Sequence, residues 1–131
     1  MLDRLTTGLE FQTQALLLRA ERQRMLAGNI ANADTPGYQA RDFDFASALR
    51  NATSAAQQAE GQGQRASPTE LAQSTARFAL QAQTSLDSNG VDMDRERAAF
   101  ADNSLRYEAT LRFINGSLRT IQDAMKSHNA G

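Results

Sequence analysis

The residues able to do chemistry are few, and their spacing argues against most of it. A single histidine, His128, stands near the C-terminus with no acidic or thiol partner close in sequence, and the chain has no cysteine. Disulfides, zinc thiolate sites, a histidine-rich metal site and most triad chemistry are therefore excluded. The acidic stretch from Asp87 to Glu96 invites comparison with a calcium loop. With Asp87 as the first ligand, Val91 falls where a fifth-position oxygen is needed, Asp92 where glycine is needed and Ala98 where glutamate is needed. The template fails at three points. Asp92 reads instead as a helix N-cap, with Asp94 and Glu96 placed favourably against the positive end of the helix dipole. The sequence contains no Ser-His-Asp set in a plausible context, no Walker loop and no dinucleotide fingerprint. The expectation is a protein that is not an enzyme, with no cofactor, no metal and no small-molecule substrate.

The most specific run is Asn29-Ile30-Ala31-Asn32-Ala33-Asp34-Thr35-Pro36-Gly37-Tyr38. Pro36 fixes φ for the second position of a turn, and Gly37 supplies the positive φ that a type II turn needs next. Asn29, Asn32 and Asp34 can bond backbone groups freed at a helix end. Thr35 is pushed to extended geometry by the following proline. Tyr38 then presents an aromatic face with a polar tip.

Two long helices must hold this turn. Positions 2, 5, 9, 12, 16, 19, 23, 26 and 30 alternate spacings of three and four, and Leu2, Leu5, Leu9, Leu16, Leu26 and Ile30 make most of them apolar. This predicts a first helix over about 2–32. Near the C-terminus the same alternation runs from Met93 to His128 through Phe100, Tyr107, Leu111, Ile114, Leu118, Ile121 and Met125. That is a coiled-coil register, over a helix of about 92–128 that is roughly 55 Å long. Paired, the two helices form an antiparallel coiled-coil hairpin, and the fold class is mainly α. Phe11, Leu18 and Met25 fall seven apart on a second face of the first helix, and Leu105 and Phe113 lie off the seam of the second. A two-helix hairpin cannot bury two faces, so these five predict an intersubunit face.

Between the helices the pattern weakens. A turn and connector are expected over 33–50. Residues 51–70 contain no large apolar side chain and predict a flexible polar loop. A short segment follows over 71–90, of helical or extended form. The connector as a whole is expected to be irregular and partly mobile, within one discontinuous domain over 1–131.

Composition narrows the classes further. Fourteen basic and fifteen acidic residues give a net charge of −1, which excludes a strongly basic surface and with it the usual footprint of nucleic-acid binding. Valine and isoleucine together number four, so a large buried sheet is not expected. No stretch reaches the length of a transmembrane segment, and the longest apolar run near the N-terminus, Ala15 to Leu18, is too short for a cleaved signal peptide. The chain either stays in the cytoplasm or leaves by a route that reads no such signal.

The run from Asn29 to Tyr38 resembles the signature of the axial proteins of the bacterial flagellum, Asn-x-Ala-Asn-x-x-Thr-Pro-Gly-Tyr after a first long helix. The resemblance extends through Asp44-Phe45-Ala46, and resumes at Ser85-Leu86-Asp87, at Val91 to Arg97 and at Phe100 to Tyr107. The placing of Asn103 before Tyr107 is similar to the branch of basal-body rod proteins that builds the proximal rod. The centre, from about Asn51 to Gln83, carries no family signal, and Asp87-Ser88-Asn89-Gly90 replaces a more usual Asp-Gly-Asn-Thr-like turn.

The resemblance implies a structural subunit, exported without a cleaved signal and assembled in the periplasm by helix packing into a rod that transmits motor torque. It implies partners among other copies of itself, other flagellar rod proteins, the rod–ring junction protein, the membrane ring and the export apparatus. Phe45 and Leu49, four apart, resemble the export-gate motif of rod and hook substrates; the plainer reading packs them onto the helix pair. A cytoplasmic coiled-coil adaptor or flagellar export chaperone is the alternative, and the full turn signature weighs against it.

Overall fold

A computed structural model describes residues 2–64, 66–85 and 92–130. Helix α1 spans Leu2–Ala31, strand β1 Arg41–Phe43, helix α2 Phe45–Gly61, helix α3 Pro68–Gln81, strand β2 Gln83–Ser85 and helix α4 Met93–Ala130. The molecule is mainly α: α4 runs antiparallel back along α1, while α2 and α3 pack on each other and on α1. The side chains of Leu2, Leu5 and His128 lie outside the described part, as do residues 86–91, where the expected turn at Asp87 falls.

The caps are local and chemical. Asp44 accepts from the Ser47 amide at 3.4 Å and from its hydroxyl at 2.7 Å, which starts α2. These bonds hold the Asp44 carboxyl below its ordinary pKa. Ser67 and Glu70 form a reciprocal capping box around Pro68, and the Ser67 bonds likewise lower the Glu70 pKa. Asp92 Oδ1 accepts from the Arg95 amide at 3.3 Å at the start of α4, as the N-cap reading expects. Gly63, at φ 76°, ends α2 by letting the Gln64 amide reach back to Ala59 O at 2.9 Å and its own amide to Glu60 O at 3.0 Å.

The structure therefore corrects the expected loop over 51–70. Residues 51–61 continue α2 and 68–70 open α3, leaving only a short link between them. The physical reason is alanine. It is the best helix former, and its small side chain lets helices approach closely without large apolar residues. Ala48, Ala52 and Ala79 are buried, and a core of Leu18, Phe43, Ala48 and Ala79 is flanked by Met25, Phe45, Leu49 and Ala82. Residues 71–85 are correspondingly helix and then strand. The strands form a two-stranded antiparallel ribbon, with Arg41 opposite Ser85 and Phe43 opposite Gln83.

This core also corrects the intersubunit assignment for Leu18, which is 0% exposed, and Met25 is half-buried against the same cluster. The folded centre of the chain covers the face that a bare hairpin would have left open. Phe11, Leu105 and Phe113 are exposed. Because the core is closed by alanine, Ala48→Leu is expected to overpack it and to destabilise the chain by about 1–3 kcal/mol, read as a lower urea midpoint.

Candidate functional site

The turn and the facing ends of α1 and α4 form one polar assembly, organised by Asn29. Asn32 ends α1: its amide nitrogen and its side-chain Nδ2 both donate to Gly28 O, at 3.0 and 2.9 Å. Thr35 N then donates to Asn32 O at 3.0 Å and its hydroxyl to Asn32 Oδ1 at 3.3 Å. Tyr38 N closes the turn on Thr35 O at 3.2 Å, with Pro36 and Gly37 between them and Gly37 at φ 77°. The positive φ expected of Gly37 is thus present.

Asn29 is fully buried and uses every hydrogen-bonding position of its amide. Nδ2 donates to Arg41 O at 2.7 Å and to Glu96 Oε2 at 3.0 Å. Oδ1 accepts from Arg41 N at 2.9 Å and from the Tyr38 hydroxyl at 3.2 Å. One side chain therefore fastens the turn, the first strand and the start of α4 to the last turns of α1. The amide gives Arg41 the donor and acceptor that a neighbouring strand would give. Aspartate at this position would lose both donors and set a carboxylate against Glu96.

A second fastening lies beside it. Arg22 grips Asp42 through Nε to Oδ1 at 3.1 Å and Nη2 to Oδ2 at 3.2 Å. Two parallel bonds of this kind fix direction as well as distance. Asp42 Oδ1 also accepts from Phe43 N at 2.8 Å, which points Phe43 into the core. The Arg19 guanidinium lies 4.3 Å from the centre of the Phe45 ring. Its pKa is lowered, first by burial and then by Arg106 and Arg22. Phe45 and Leu49 pack against the core in the folded chain.

Further along the pair, α4 meets α1 by a register that the apolar pattern did not predict. Phe100, Tyr107, Ile114 and Ile121 are half-buried on the inward face. The row that alternates with them is Glu96, Asn103 and Thr110, which are 6%, 0% and 8% exposed, followed by half-buried Ser117. The expected row one residue later is turned outward: Leu111, Leu118 and Met125 are 38%, 42% and 60% exposed. On α1, Leu26 is buried and Leu9, Leu16 and Ile30 are half-buried. Asn103 Nδ2 donates to Arg19 O at 2.9 Å and to Gln23 Oε1 at 2.7 Å, and Gln23 Nε2 donates to the Ser104 hydroxyl.

Sequence reasoning missed Glu96 and Asn103 as packed residues, and it placed position 23 in the register of the first helix without giving Gln23 a partner. The available signal was the seven-residue spacing of Glu96, Asn103, Thr110 and Ser117, each able to bond across or back along a helix. Among the described residues no three acidic, histidine or cysteine side chains gather as a metal site, and no helix is long and apolar enough to cross a membrane. What this geometry does is mechanical: it ties two distant chain segments together at fixed register.

The turn and the helix leading into it coincide with a family match. The family described as "Flagella basal body rod protein" matches residues 9–39. Over 98% of this chain and the whole of the relative, the sequence is 48% identical to the flagellar basal body rod protein FlgB of Escherichia coli (strain K12). It is 45% identical to FlgB of Salmonella typhimurium at the same coverage. At 35% identity, FlgB of Buchnera aphidicola aligns with 96% of this chain and 99% of its own length. With such identity over nearly the whole of both chains, the chain belongs to the FlgB family of flagellar basal body rod proteins.

Proposed function

We propose that this chain is a structural subunit of the proximal rod of the bacterial flagellar basal body, needed for motility. It assembles by helix packing, and its role is to carry torque rather than to catalyse a reaction. The observation that carries the reading is the outward row on α4. Leu111, Leu118 and Met125, with Leu105 and Phe113 nearby, leave large apolar side chains in solvent on a subunit whose family is built for assembly. Repeated contacts between unlike faces of identical subunits extend instead of closing, which is how a rod grows.

The partners in this reading are further copies of the chain, other flagellar rod proteins, the rod–ring junction protein and the membrane ring. The export apparatus handles the chain before assembly, and the location is the periplasmic part of the basal body. Phe45 and Leu49 are available to an export gate only before folding, since both pack on the core afterwards. The test is fractionation. The chain is expected in purified basal bodies, and its deletion is expected to abolish swimming until the full-length chain is restored. A purely cytosolic distribution in flagellated cells would favour the adaptor instead.

A further inference from the structure

The α1–α4 seam buries polar residues where the sequence offers apolar ones. Asn103 and Asn29 are both 0% exposed, and Glu96 is 6% exposed. Turning α4 by one residue would bring Leu111 and Leu118 toward α1 in place of Thr110 and Ser117, with Arg97 and Ser104 taking the places of Glu96 and Asn103. By apolar area alone that arrangement is preferred, since stabilisation scales with apolar surface removed from water. The adopted arrangement also carries a penalty: Asn103 Oδ1 and Arg19 Nε are buried without a hydrogen-bond partner among the described residues. A seam that forgoes apolar burial and leaves polar atoms unpaired is not optimised for the stability of the pair.

We propose that the polar layer of Asn29 with Glu96 and Gln23 with Asn103 is a register key. It holds α4 rotated so that Leu111 and Leu118 stay outside the subunit, where neighbouring subunits can use them. The chemistry suits the task. An apolar seam tolerates rotation and slippage because its contacts are non-directional. An amide that must donate to Arg19 O and Gln23 Oε1, and another that must reach Glu96, Arg41 and Tyr38, are satisfied at one rotation only. Buried polar residues at seam positions set register in paired helices at some loss of stability. The two pairs sit at different heights on α1, so they fix both rotation and axial position. The use made of the outward row rests on the rod-subunit reading; the key itself does not.

The chain contains no cysteine, so Leu118→Cys gives a single reporter on the full-length protein. Its maleimide labelling is compared with the polar layer intact and with Gln23→Ala and Asn103→Ala combined, which removes both amides without making the present inward row strongly apolar, and helix content is followed by circular dichroism. With the layer intact, the introduced thiol is expected to label readily. In the alanine variant labelling is expected to slow about tenfold or more, the protection that local burial confers, at equal or greater helix content. The exchange Gln23→Asn with Asn103→Gln, which keeps an amide pair across the seam, is expected to restore ready labelling. Equal labelling in the intact and alanine forms would overturn the key, and so would slow labelling in the amide exchange. Incorporation into basal bodies is not the readout. The key can therefore fail while the rod assignment stands, and a chain absent from basal bodies would overturn the assignment without touching the key.

Discussion

Leu118→Asp is expected to leave export into the periplasm intact and to remove the chain from basal bodies, with complete loss of swimming. Leu118 is 42% exposed in the subunit, so an aspartate there remains solvated and the α1–α4 pair retains its inward row. The effect appears when a neighbouring helix covers the position. An uncompensated charge buried at an interface costs about 3–5 kcal/mol, and in a rod that penalty recurs at every subunit. Leu118→Met, which preserves volume and polarity class, is expected to assemble normally. Periplasmic level, basal-body content and swimming are measured separately. Loss of the periplasmic chain would place Leu118 in the subunit's own core instead, and normal assembly would remove the outward row from the interface.

Gly37→Val is the second variant expected to block incorporation, by a different route. A β-carbon at Gly37 meets no atom of the described residues within 4 Å, so the β-carbon itself introduces no clash. The penalty is in the backbone. Gly37 has φ 77°, and a β-branched residue held in the left-handed region is strained by about 1–3 kcal/mol. The strain is relieved by opening the turn. That releases the Tyr38 hydroxyl from Asn29 and frees the connector that delivers Arg41 to the same amide. Gly37→Asn, which tolerates positive φ, is expected to assemble. Tyr38→Phe loses a single bond of about 0.5–1.5 kcal/mol and is expected to be mild, whereas Tyr38→Ala removes the ring as well and is expected to be severe. Normal basal-body incorporation of Gly37→Val would refute the turn's role.

Much of this molecule was legible in its residues because the relevant forces act locally. Proline, glycine and asparagine set the turn at 29–38 through φ preferences and short-range bonds, and Gly37 has the conformation those preferences require. Asp92 caps α4 for the same reason. The seven-residue spacing placed Leu26, Ile114 and Ile121 on the inward faces. Even the start of α3, a segment the apolar pattern leaves open between helical and extended form, was spelled out locally, by Ser67-Pro68-Thr69-Glu70 as a capping box.

What only the tertiary structure decided were the questions of partner. Alanine reports helix propensity but not which surface will receive it, so α2 and its packing through Ala48 and Ala52 could not be read from a count of large apolar residues. The burial of Leu18 followed from that packing. The rotation of α4 was likewise invisible, because periodicity ranks positions by hydrophobicity, and the row of Leu111, Leu118 and Met125 outranks the row of Thr110, Ser117 and Ala124 beside it. Directional hydrogen bonds from Asn29, Gln23 and Asn103 reverse that ranking, and they exist only once residues about 70 to 80 positions apart have been brought within 3 Å of one another.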